Sequence, residues 1–105
     1  MDRDYETLDK FIEDYPDEFK AVRAILIEYW DPIDTAASGE RGAYDHYVPQ
    51  VVFLGMGGAS ARVIADHLAD MEVRIMGLLN STPQQWLRCK KAAEAIVDYF
   101  AGRTA

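Results

Sequence analysis

The chain has little of what staples a small fold together or sends it to an unusual environment. It holds one cysteine, Cys89, so no internal disulfide can form; a disulfide-dense secreted scaffold is excluded and a reducing compartment is expected. Glycine and proline are few, seven and four of 105 residues, which excludes collagen-like and low-complexity chains. No apolar run approaches the ~20 residues that cross a bilayer. The first residues, Met1-Asp2-Arg3-Asp4-Tyr5-Glu6, are acidic where a signal peptide would be basic and then apolar. The expected location is the cytoplasm, with no membrane association. Two histidines leave few candidates for a triad. Basic residues are scarce too: 11 Lys and Arg face 18 Asp and Glu, a formal net charge of −7. That charge argues against electrostatic capture of nucleic acid.

What is present is enough for one ordinary domain. Half of the residues are apolar and 28% are charged, a balance that folds without help from metals or bridges. The charge is unevenly placed. Residues 1–34 carry eleven acids and four bases, while the rest of the chain carries seven of each. The whole net charge therefore belongs to the first third. A solvated helix face that keeps the protein soluble accounts for this. So does an acidic surface that meets a basic partner, for which Asp9, Glu13, Asp17 and Glu18 are the candidate residues.

Apolar spacing predicts five helices. In residues 4–15, Tyr5, Leu8, Phe11, Ile12 and Tyr15 recur at three and four. Pro16 ends that helix and opens the next, because proline disfavours helical geometry before it but suits a first turn. Residues 16–29 place Phe19, Val22, Ile25, Leu26 and Tyr29 on one stripe. Residues 31–43, with one proline, two glycines and no apolar period, form a long loop. A third helix spans residues 44–54, with Tyr44, Tyr47, Val48, Val51, Val52 and Gly55 on one side. Pro49 falls inside it and either kinks it or moves its start to about Val48. The Gly55-Met56-Gly57-Gly58 stretch lacks the preceding strand of a dinucleotide fingerprint and the Lys of a P-loop, so it reads as helix punctuation.

Ser60 is the expected N-cap of a fourth helix, with Ile64, Leu68, Met71, Ile75 and Leu78 as its seam. Thr82-Pro83-Gln84-Gln85 has the form of a capping box. It opens a fifth helix with Trp86, Cys89, Ala93, Ile96 and Phe100 inward. Gly102 is positioned to stop it. The fold class is all-α: a compact single-domain bundle of about five helices, residues 1–105, with one long loop between helices 2 and 3.

No catalytic, cofactor or metal constellation stands out. Asp45-His46 and Asp66-His67 with Asp70 lack the spacing of helical metal ligands. Cys89 is flanked by Arg88, Lys90 and Lys91, cations that favour a thiolate, but its place in the seam marks it as a buried thiol. The flanks of the long loop are more specific. Trp30, Asp31, Tyr44, Asp45 and Tyr47 put aromatics and acids beside a rigid Pro32 turn. They can plug one end of the bundle, or they can line a groove for a partner or ligand.

The pattern Trp30-Asp31-Pro32-Ile33, then Tyr44-Asp45-x-Tyr47, Gly58-Ala59-Ser60 and Met76-Gly77-Leu78 resembles a family of small, functionally uncharacterised helical bacterial proteins. The resemblance covers about residues 20–79. It implies a helical fold and a bacterial source, and it implies no activity. The expected function is a non-catalytic, acidic helical protein that binds another, basic protein, in the manner of a bacterial immunity or antitoxin-type inhibitor. The alternative is a small-molecule-binding protein or minor enzyme that uses the Trp30 to Tyr47 region. A homodimer through leftover apolar residues such as Ile27 is a third expectation.

Overall fold

The computed structural model describes residues 8–30, 44–74 and 83–104, and all regular structure among them is helical. Helix α1 covers Leu8–Asp14 and α2 covers Pro16–Ile25, continued by one π-helical turn, Leu26–Trp30. A 3-10 turn, Asp45–Tyr47, leads into α3, Val48–Met56. Helices α4, Ala61–Arg74, and α5, Pro83–Thr104, complete the bundle. The loop expected at residues 31–43 and the end of the fourth helix at residues 75–80 lie outside the described residues, as do Asp31, Ile75 and Leu78. The Cα radius of gyration, 13.2 Å, is what one folded domain of about 100 residues has.

Proline sets the helix starts. Tyr15 leaves helical geometry at φ −132° and ψ 58°, and Pro16 occupies the first turn of α2, where its missing N–H costs no hydrogen bond. Pro49 does the same for α3 after the 3-10 turn. It therefore starts the helix rather than kinking it. Ser60 caps α4, its Oγ accepting from the Val63 N–H at 3.2 Å.

Helix α3 ends in a Schellman motif. The Ala59 N–H donates to the Leu54 carbonyl at 3.0 Å, and the Gly58 N–H donates to that of Gly55 at 3.2 Å. Gly58 sits at φ +82°, the left-handed geometry that this cap needs and that glycine adopts without strain. The glycine stretch is thus helix punctuation.

The inward stripes meet in one core. Phe11 comes from α1, Phe19, Val22 and Leu26 from α2 and its π turn, and Val48, Val51 and Val52 from α3. Ile64, Leu68 and Met71 join from α4, and Cys89, Ala92, Ala93, Ile96 and Phe100 from α5. The most extensive contact is between α4 and α5, and α5 also packs on the π turn, α2 and α3. Two expectations need correction. Tyr29 is partly exposed and Trp30 takes its place inside, because the wider i→i+5 turn rotates the inward direction by one residue. Gly102 does not stop α5, which runs through it to Thr104; one glycine in an exposed turn costs only about 1 kcal/mol of helix propensity.

Candidate functional site

The π turn delivers Trp30 to the most unusual polar group in the molecule. Glu72, on α4, is 1% exposed. Three side chains donate to one of its oxygens, Oε2: the Trp30 indole Nε1 at 2.7 Å, the Gln85 Nε2 at 3.1 Å and the Cys89 Sγ at 3.1 Å. The other oxygen, Oε1, accepts no hydrogen bond. All three donors are neutral, so the group has hydrogen bonds but none from a cation.

Gln85, with Arg88 one turn further along α5, also donates to the last carbonyls of the π turn. Arg88 Nε donates to the Tyr29 carbonyl at 3.2 Å and the Trp30 carbonyl at 3.1 Å. Gln85 Nε2 also reaches the Trp30 carbonyl, at 3.5 Å. A cation on the negative end of a helix is favourable. The cluster thus locks three elements together: the end of α2, α4 and the first half of α5.

Chemically the cluster is closed. Burial pushes the Cys89 thiol far above its ordinary pKa, and the hydrogen bond and charge of Glu72 push it further. The thiolate is the reactive form, so this cysteine is inert in the folded protein despite its cationic sequence neighbours. Native protein is expected to resist alkylation by iodoacetamide at pH 8, with labelling at the rate of unfolding and full labelling in denaturant. Rapid labelling of native protein would show that Glu72 and Cys89 are not shut in. No group of three or more potential metal ligands occurs among the described residues. His67 is a partly buried histidine whose pKa is lowered by burial, an effect that Asp70 partly opposes.

The sequence-predicted groove residues are placed as follows. Trp30 and Tyr44 are fully buried and pack on each other, ring centroids 5.1 Å apart. They plug the bundle and face no open groove. Asp45 pairs with Arg23, Nε to Oδ1 at 3.0 Å, which ties α2 to the 3-10 turn. Tyr47 is half-buried, packed against the core. Ile27, the candidate dimer residue, is also half-buried against the core.

The candidate partner residues stand outside. Asp9, Glu13 and Asp17 are exposed and Glu18 is half-buried, grouped about the corner where Pro16 turns α1 into α2. Residues 9–18 hold five acids and one base, Lys10. Lys10 pairs with Glu13 at 3.8 Å and with Asp14 at 3.5 Å, contacts that in full solvent contribute little. The formal charge of residues 9–18 is −4, five acids against one base. Two large apolar side chains flank it: Phe53 is 38% exposed and Met56 is 48% exposed. Phe53 sits edge-on to Tyr15, centroids 6.0 Å apart.

Sequence reasoning missed Glu72, although a signal was there. It lies four residues after Leu68 and seven after Ala65, so an acid occupies a position on the flank of the α4 seam. Gln85 reads from sequence only as a capping-box residue and Arg88 only as a flanking cation. Compared with protein-family models, curated proteins and solved structures, the chain matches none.

Proposed function

We propose that this chain is a non-catalytic binding protein whose acidic α1–α2 corner docks a basic protein partner. The observation that carries the reading is the exposure of Asp9, Glu13 and Asp17 beside the exposed Phe53, together with the closed interior at Cys89 and Glu72. Acidic surfaces steer basic partners, and such binding weakens with salt. An immunity or antitoxin-type inhibitor of a basic toxin is a protein of this kind. A homodimer through the second helix has no comparable support, since Ile27 is packed on the core.

The test is affinity capture from the source cell at low and high salt, with wild type beside a variant carrying Asp9→Asn, Glu13→Gln, Asp17→Asn and Glu18→Gln. The expected result is a basic protein held by wild type at low salt, released at high salt and absent from the variant. Recovery of no basic protein at low salt sinks the proposal. Three of the four neutralised acids are exposed and Glu18 is half-buried, so the variant should keep the fold, which circular dichroism checks.

A further inference from the structure

Helix α5 carries a charged surface of its own, opposite in sign to the acidic corner. Residues 83–93 hold three bases, Arg88, Lys90 and Lys91, and no acid, a formal charge of +3. With Cys89 turned inward, the outer side of residues 87–91 consists of these three exposed cations and Leu87, itself 49% exposed. Arg88 Nε is taken by the Tyr29 and Trp30 carbonyls. Lys90 and Lys91 have no ion pair or hydrogen bond among the described residues, and Glu94, four residues on from Lys90, makes none with it.

This turn is the counterpart of the corner in charge and in apolar surface. Residues 9–18 have a formal charge of −4, and among their acids Asp9 and Asp17 have no ion pair or hydrogen bond among the described residues. Each surface adds one large exposed apolar side chain, Phe53 at the corner and Leu87 on the turn.

Within one molecule the two surfaces do not meet. The end of α2 lies on the start of α5, through the bonds of Gln85 and Arg88 to the π turn. Glu18, at the start of α2, lines one cleft with Val97, Phe100 and Ala101 near the end of α5. The two helices therefore run antiparallel. Eleven residues separate Lys90 from Ala101, roughly 16 Å along the helix, which holds the corner out of reach of the lysines of its own chain. Opposite charges held at two ends of a rigid bundle attract the opposite ends of neighbouring molecules.

We infer that the protein associates head to tail with itself, residues 87–91 of one copy docking on the acidic α1–α2 corner of the next. Lys90 and Lys91 lie among Asp9, Glu13 and Asp17 across this contact, and Leu87 packs against Phe53. The inference rests on the acidic-corner reading and adds to it a second copy of the chain as an occupant of that corner. The net charge of −7 opposes association, but it is spread over a molecule of 34 × 29 × 27 Å. In physiological salt, charges more than about 8 Å apart are largely screened, while the contact charges act at shorter range. The contact is heterologous, so every complex leaves one corner and one basic turn free for further copies.

The experiment is sedimentation equilibrium of the full chain at physiological salt, with two variants. The corner variant carries Asp9→Asn, Glu13→Gln and Asp17→Asn; the turn variant carries Lys90→Gln and Lys91→Gln. All five side chains are exposed, and circular dichroism checks that both variants fold. The average mass of wild type is expected to rise with concentration and to pass that of a dimer. Either variant alone should associate about tenfold more weakly, the effect of losing two modest ion pairs. An equimolar mixture of the two variants should regain the wild-type strength of pairing and stop at one-to-one, because only one intact corner and one intact turn are then available.

Wild type that stays monomeric to millimolar concentration, association that either set of substitutions leaves untouched, or a mixture no more associated than its components would overturn the inference. The acidic-corner reading is judged apart from this, by capture of a basic protein. Monomeric wild type that still captures a basic protein, and loses it when the corner acids are neutralised, would remove the second copy and leave the corner standing.

Discussion

Trp30→Phe is expected to lower the unfolding free energy by about 2 to 4 kcal/mol, and adding Glu72→Met is expected to restore most of that loss. The indole donates the shortest bond to the buried Glu72 carboxylate, 2.7 Å. A hydrogen bond to a charged group contributes about 1.5 to 3 kcal/mol, and deleting part of a buried ring adds a cavity cost. Phenylalanine keeps the packing on Tyr44 but leaves the carboxylate with only Gln85 and Cys89 as donors. With Glu72 already lacking a partner at Oε1, no spare donor among the described residues can compensate.

Methionine at residue 72 removes the group that needs the donors, and replacing both partners of a buried polar pair by apolar groups is close to neutral. Gln85 retains the Trp30-position carbonyl as its acceptor, and a thiol loses little when unpaired. Since each kcal/mol moves the melting temperature by about 4 to 8 °C in a domain of this size, Trp30→Phe should melt roughly 10 to 25 °C below wild type. Thermal unfolding followed by far-ultraviolet circular dichroism reads this directly. Simple addition of the two single costs in the double variant would mean that Trp30 and Glu72 are not coupled.

Gly55→Ala is expected to cost about 1 to 3 kcal/mol, the usual penalty for forcing an extra methyl group into a packed contact. The new Cβ meets the Phe100 ring, which is 7% exposed and has to shift. Phe100→Leu in the same chain should relieve part of the clash, so the double variant should lose less than the two single costs together. Gly58→Ala provides the contrast. Nothing lies within 4 Å of its Cβ position, but its φ is +82°, so its cost of about 1 kcal/mol comes from the backbone alone. Phe100→Leu should leave that cost unchanged. Equal rescue of both glycine variants would show that the Phe100 contact is not what Gly55 serves.

The helices were legible because their signals are local. Pro16 and Pro49 each fall in a first turn, Ser60 caps α4, and the seams of α4 and α5 recur at three and four. The π turn was not legible: nothing local in Leu26–Trp30 marks it, and the side chains that donate to the Trp30 carbonyl, Arg88 and Gln85, lie 58 and 55 residues away. With the turn went the identity of the inward aromatic, Trp30 for Tyr29. The polar cluster was hidden for the same reason: Trp30, Glu72 and Cys89 are far apart in sequence, and only packing brings their side chains to one oxygen. The acidic corner could be read as a charge asymmetry, and the inward spacing of Val48, Val51, Val52 and Gly55 on the third helix leaves Phe53 and Met56 off the buried side. That these two lie beside the acids is set by packing and has no local signal.

The acidic corner is tested most directly by the affinity of the captured basic partner for wild type and for the four-acid variant across a salt series. Wild-type affinity should fall steadily as salt rises, and the variant with Asp9→Asn, Glu13→Gln, Asp17→Asn and Glu18→Gln should bind weakly at every salt concentration with a nearly flat dependence. Equal affinity and equal salt dependence for the two proteins would contradict the account and leave the acidic residues as a solvated face.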